Sequence, residues 1–111
     1  MKGRKRLNEV IRQENLVVDL LLKHKGADNS ISAKEIVTYL AHNKIDIQAR
    51  SINSYITRLK NTRRLPICYI RGKGYFVATK RAEVEHTIED MRKMQKALQE
   101  NIDLMLSFIL D

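Results

Sequence analysis

The sequence is poor in the residues that rigidify small folds. Its 111 residues include one cysteine, one proline, four glycines and no tryptophan, and only 5% are aromatic. The lone Cys68 cannot close an internal disulfide or take part in a cysteine-rich zinc site. No apolar run approaches the ~20 residues that span a bilayer. The longest candidate, Leu16 to Leu22, is broken by Asp19. Asn8, Glu9, Arg12 and Gln13 stand where a secretory signal would be apolar, so a cytoplasmic location is expected, with no membrane partner. His24, His42 and His86 are too scattered for metal-ligand spacing. Glu83, Glu85, Glu89 and Asp90 cluster at a helix start, where they suit the helix dipole rather than acid–base work. Gly72-Lys73-Gly74 is too short to cradle a phosphate and lacks the Lys-Ser/Thr that would follow. The expectation is no enzyme, no metal, no cofactor and no small-molecule effector.

Hydrophobic and charged residues, 43% and 31%, describe a chain able to fold around one modest core. The charge is uneven. Residues 1–80 carry 17 Lys and Arg against 6 Asp and Glu, a net +11, while residues 81–111 carry 4 against 7, a net −3. A basic body with an acidic tail points to a polyanion partner for the body and a different role for the tail.

Met1 to Arg6 reads as a short basic arm. Leu7 to His24 reads as a helix burying Leu7, Val10, Ile11, Val17, Val18 and Leu21, with Gly26 as its stop. Ile31 fits a very short strand. Ser32 and Glu35 form a capping box for a second helix, Ala33 to about His42, with Ile36, Val37, Leu40 and Ala41 inward. After a connector, Asn43 to Ile47, Asp46 is a candidate cap for a third helix reaching about Thr62. Pro66 stops any continuation. Ile67–Ile70 and Tyr75–Ala78 flank the turn Arg71-Gly72-Lys73-Gly74 and predict a hairpin. Thr79 is placed to cap a last helix running nearly to Asp111.

The third helix combines Ile52, Ile56 and Leu59 on one face with a wholly polar opposite face. A helix that reads the major groove needs both: an apolar side to dock and hydrogen-bonding groups for base edges. Gln48, Arg50, Ser51, Asn53, Ser54, Thr57 and Arg58 are the candidate readers. Lys60, Arg63 and Arg64, with Arg71 and Lys73 at the hairpin tip, are candidate phosphate contacts, as Arg58 is also. Ser32 to Ala78 resembles the winged helix-turn-helix domain of biotin-operon repressors and related small regulators. Ile52-Asn53-Ser54-Tyr55-Ile56-Thr57-Arg58-Leu59-Lys60 and Arg71-Gly72-Lys73-Gly74-Tyr75 carry the likeness. It implies that the third helix is a recognition helix and that the Gly-Lys-Gly-Tyr turn closes a wing. The turn is also similar to the wing ending of response-regulator effector domains.

In the last helix Val84, Ile88, Met91, Gln95, Leu98, Ile102, Met105 and Ile109 alternate at spacings of four and three, a heptad seam. The expected architecture is mainly α with a small β-hairpin: a winged-helix DNA-binding domain over 1–79, then a dimerisation helix over 80–111. The expected function is sequence-specific double-stranded DNA binding as a homodimer or larger bundle, in transcription regulation. Two alternatives stand beside it. One is a replication or partition accessory protein of a mobile element. The other is a protein-interaction adaptor whose winged helix no longer reads DNA.

Overall fold

The computed structural model describes Lys2–Leu110. Its main elements, in chain order, are α1 (Lys2–Leu22), a single 3-10 turn (Ala27–Asn29), α2 (Ala33–His42), α3 (Ala49–Arg63), β1 (Ile67–Ile70), β2 (Gly74–Val77) and α4 (Arg81–Leu110). The fold is mainly helical, with one two-stranded antiparallel hairpin and a long terminal helix. Among the described residues, no helix is long and apolar enough to cross a membrane.

The expected basic arm is not an arm. Residues 2–6 continue α1 as regular helix despite Gly3, because Lys and Arg favour helix and Gly3 lies in its first turn. Met1 lies outside the described residues. The packed face of α1 is also shorter than its periodicity promised. Val17, Leu20 and Leu21 are buried, but Leu7, Val10 and Ile11 are exposed, because α1 overhangs the body at its N-terminal end.

The helix ends at Leu22, short of the expected His24, because the chain after Leu22 is captured by β2. Val77 N–H donates to the His24 carbonyl at 2.9 Å, and Gly26 N–H donates to the Val77 carbonyl at 2.9 Å. Ile31 then forms the expected short strand contact. It exchanges two backbone bonds with Tyr75, 2.8 and 2.7 Å. β2 is thus paired with β1 on one edge and with Lys25 and Ile31 on the other. Gly74 opens β2 one residue earlier than expected. Its φ is +126°, and a Cβ there would overlap the backbone of Ile31 and Ser32. Only glycine permits that approach.

The Ser32–Glu35 capping box is present in both directions. Ile36 and Leu40 of α2 are buried and Val37 is half-buried, whereas Ala41 is exposed. The connector closes α2 with a Schellman pair: Lys44 N–H donates to the Ala41 carbonyl and Ile45 N–H to the Leu40 carbonyl. Lys44 takes the left-handed φ of +61° that this motif needs, and Ile45 turns into the core. Gln48, not Asp46, occupies the N-cap position of α3, and its side chain makes no cap bond.

One core lies between the helices and one face of the hairpin. Val17, Leu21, Ile36, Leu40, Ile52, Ile56, Leu59, Ile67, Tyr75 and Val77 belong to it. Phe76 and Cys68 alternate to the opposite face, where they pair in register, yet both are buried. The start of α4 covers them, with Cys68 Sγ 3.9 Å from the Glu83 carbonyl oxygen. Burying a phenylalanine of this kind contributes about 2 kcal/mol, so the hairpin is held from both sides.

Thr79 does not cap α4 as expected. Instead Glu83 reaches back, and its Oε1 accepts from the Thr79 and Lys80 N–H groups and the Thr79 hydroxyl. Its Oε2 accepts from Ala27 N–H at 2.6 Å. The carboxylate therefore ties α4 to the turn that follows α1. Hydrogen bonds from the Thr79 and Ala27 backbone hold its pKa below the ordinary 4.5.

Candidate nucleic-acid interface

Helix α3 is built to present one side. At about 100° per residue, Ile52, Ile56 and Leu59 stack in line, and all three are buried. Directly opposite run Arg50, Ser54, Thr57 and Asn61, spaced i, i+4, i+7 and i+11, and all four are exposed. The residues either side of Ile52 mark the two flanks. Asn53 lies on one, and Ser51, with Arg58 seven residues on, lies on the other.

The Asn53 flank faces the hairpin. The Tyr75 hydroxyl donates to Asn53 Oδ1 at 3.2 Å, while the Tyr75 ring is buried at 5% exposure. Burial, and then the neighbouring Tyr69, raise the Tyr75 pKa, so the phenol keeps its proton and remains a donor. The bond occupies one lone pair of the Asn53 carbonyl, and the NH2 of this exposed side chain remains a donor. Tyr69 pairs with Tyr75 across the strands, with ring centroids 4.9 Å apart. Alternation puts Tyr69 on the core-facing side of the hairpin, but it is 48% exposed, because the hairpin reaches past the core there. It therefore stands beside Tyr75 as an uncovered aromatic. Sequence reasoning passed over Tyr69, since an aromatic at an inward strand position reads as core.

The Ser51 flank faces α1. Gln13 of α1 lines a shallow cleft with Ile47, Ser51, Ser54, Tyr55 and Arg58. The Arg58 guanidinium lies 5.0 Å from the centre of the Tyr55 ring, a cation–π contact that aligns it along the cleft.

The other expected contacts are dispersed around this face. Gln48 and Arg50 are exposed at the N-terminal end of α3, and Arg71 and Lys73 are exposed in the hairpin turn. Lys60 is half-buried. Arg63 turns back onto α1, 2.8 Å from Asn15 Oδ1 and 3.3 Å from Glu14 Oε2, and so helps to dock α3. Arg64 ends α3 in the left-handed conformation with φ +53° and is exposed. The Thr57 hydroxyl donates to the Asn53 carbonyl and keeps its lone pairs free to accept.

A scan against protein-family models and searches of curated proteins and solved structures matched nothing. What the surface does must be read from its own geometry.

The seam of α4 occupies a different part of the molecule. Val84 is half-buried in the stretch that packs on β1. From Met91 to Ile109 every residue of α4 is exposed in the single chain, seam residues included; Leu98 is 61% exposed and Ile109 79%. Leu104, Leu106 and Phe108 broaden the apolar surface beyond one stripe. The helix has 30 residues, about 45 Å at 1.5 Å per residue.

Proposed function

We propose that this chain is a winged helix-turn-helix regulator that binds double-stranded DNA in the cytoplasm as a homodimer. Helix α3 enters the major groove and the hairpin acts as the wing. The observation that carries this reading is the polar stripe Arg50, Ser54, Thr57 and Asn61 on a helix whose other side is core, with Asn53 hydrogen-bonded to the adjoining hairpin. Groove-reading helices need this combination of rigid docking and unsatisfied donors and acceptors. Arg58, Arg64, Arg71 and Lys73 supply positive charge around it, in a body of net +11. No cofactor or effector is required.

The dimer reading rests on α4. An exposed seam of Ile88, Met91, Leu98, Ile102, Met105 and Ile109 is costly in water, and a second copy of the same helix covers it with matching residues. Gln95, the polar seam position, then selects register at some expense of stability. Two linked readers gain affinity over one by engaging two half-sites.

The test is fluorescence anisotropy of the full chain against duplexes from its own genomic neighbourhood and shuffled controls, across a salt series. Tight binding to one fragment at physiological salt is the expected result. Equal and steeply salt-dependent binding to every duplex replaces the regulator with a phosphate-driven role. No binding at low salt refutes DNA recognition and leaves α4 as the functional surface.

A further inference from the structure

We infer that the overhanging N-terminal half of α1 is a second DNA-backbone clamp, with Arg6 in contact with phosphate on the side of α3 opposite the wing. This rests on the DNA-binding reading above.

A helix in the major groove has a phosphate strand on each side of it. The hairpin attends the Asn53 flank of α3. On the Ser51 flank the neighbouring element is α1, whose Gln13 shares the cleft with Ser51, Ser54 and Arg58. From that point α1 runs on toward its N-terminus beyond the body. Arg6 through Arg12 are all exposed, so this stretch is not there to build the core. Residues seven apart on a helix return to within about 20° of one another and are about 10 Å apart along the axis. Arg6 therefore lies on the same side of α1 as Gln13, two turns further out. The helix from Lys2 to Arg12 carries five Lys and Arg against the single Glu9. Arg6 is carried on regular helix, so positioning its charge costs less entropy than it would on a flexible arm.

The geometry assigns distinct parts to the residues on this side. Gln13, at the mouth of the cleft, offers an uncharged amide donor beside the Ser51 and Ser54 hydroxyls. Arg6 reaches the backbone beyond the end of the recognition surface. Arg12 lies about 100° round the helix from Gln13, is exposed and does not line the cleft, which makes it an internal control of equal charge.

The experiment uses the full chain and a fluorescent mixed-sequence duplex, with log K measured against log salt for Arg6→Gln, Arg12→Gln and Gln13→Glu. Each phosphate contact contributes about 0.9 to the slope. Arg6→Gln is expected to flatten the slope by about 1 and weaken binding uniformly across sequences. Arg12→Gln, with the same change in net charge, is expected to change it by much less. Gln13→Glu places a carboxylate in the cleft and is expected to weaken binding by an order of magnitude. Circular dichroism spectra that match the parent show that each variant keeps its fold, as expected for exposed Arg6 and Arg12 and half-buried Gln13. If the parent chain binds and Arg6→Gln is indistinguishable from Arg12→Gln, the clamp is refuted while DNA binding stands. If the parent binds no duplex at low salt, both fall together.

Discussion

Two glycines in the hairpin have positive φ, but only one has a neighbour in the way, and the difference can be measured. Gly72 has φ +84° and nothing within 4 Å of where a Cβ would sit. Alanine there suffers backbone strain alone, about 1 kcal/mol. Gly74 has φ +126°, and a Cβ would run into the Ile31 carbonyl and lie 2.8 Å from the Ser32 Cα. These are backbone atoms fixed by the two Ile31–Tyr75 hydrogen bonds, so nothing flexible can move aside. Relief requires parting that bridge. Two hydrogen bonds at about 1 kcal/mol each on top of the strain give about 3 kcal/mol for Gly74→Ala. That is a large fraction of a typical domain's roughly 5–15 kcal/mol. In urea, with a slope of about 2 kcal/mol per molar, the midpoint should fall by about 1.5 M for Gly74→Ala and about 0.5 M for Gly72→Ala. Equal shifts for the two variants would falsify the close-approach account. A normal midpoint for Gly74→Ala would mean that the Ile31 bridge contributes nothing to stability.

Removing the Tyr75 hydroxyl tests its hold on Asn53. Tyr75→Phe keeps the buried ring, so stability should change by about 1 kcal/mol or less, while in the proposed complex discrimination between bases should relax at the position that Asn53 contacts. In a double-mutant cycle with Asn53→Ala the two losses should not add, and strict additivity would remove the link. Glu83→Gln should destabilise the junction between α4 and the Ala27 turn at neutral pH. Because the folded pKa of Glu83 is depressed, its contribution is complete above the ordinary value of 4.5 and is lost as pH falls through the folded value. The parent and variant should therefore converge in stability under acid, and a constant gap down to pH 2 would contradict the assignment. Leu98→Asp puts a charge in the middle of the α4 seam. It should shift sedimentation from dimer to monomer without unfolding the body, because Leu98 touches nothing else in the chain's core; an unchanged mass would exclude the seam as the interface.

Much of the framework is legible in the amino-acid sequence. The capping box placed α2 to the residue, because Ser32 and Glu35 satisfy each other locally and depend on nothing distant. Ile52, Ile56 and Leu59 gave the buried side of α3 for the same reason. The errors arose where long-range structure decides. Periodicity in α1 cannot reveal that the body ends near Gln13, so Leu7, Val10 and Ile11 fit a buried face that the core does not reach. Asp46 is a good cap by type, but the Schellman turn at Lys44 and the burial of Ile45 set the chain so that Gln48 takes that position. Glu83 looked like one of four solvated acids. Its role as a clasp depends on Ala27, 56 residues away in sequence. The same holds for the surface around α3. Which residues were polar was legible, but that Tyr75 attends Asn53 and Gln13 attends Ser51 is a property of packing.

The burial of every residue of β2 explains how the two parts of the molecule are joined. A hairpin at the edge of a small domain would normally leave one face in water. Here Tyr75 and Val77 face the core, while Phe76, with Cys68 beside it, is covered by the start of α4. Helix α4 is therefore part of the hairpin's support and not an appendage on a loose linker. Val84, the first seam residue, follows Glu83 directly, and Glu83 is bonded to three backbone N–H groups in two segments. In the proposed dimer, the seam and the proposed base-reading surface are thus joined through the packed hairpin. The spacing of the two recognition helices follows from the register of α4, and a sequence read by this protein should tolerate little variation in half-site separation.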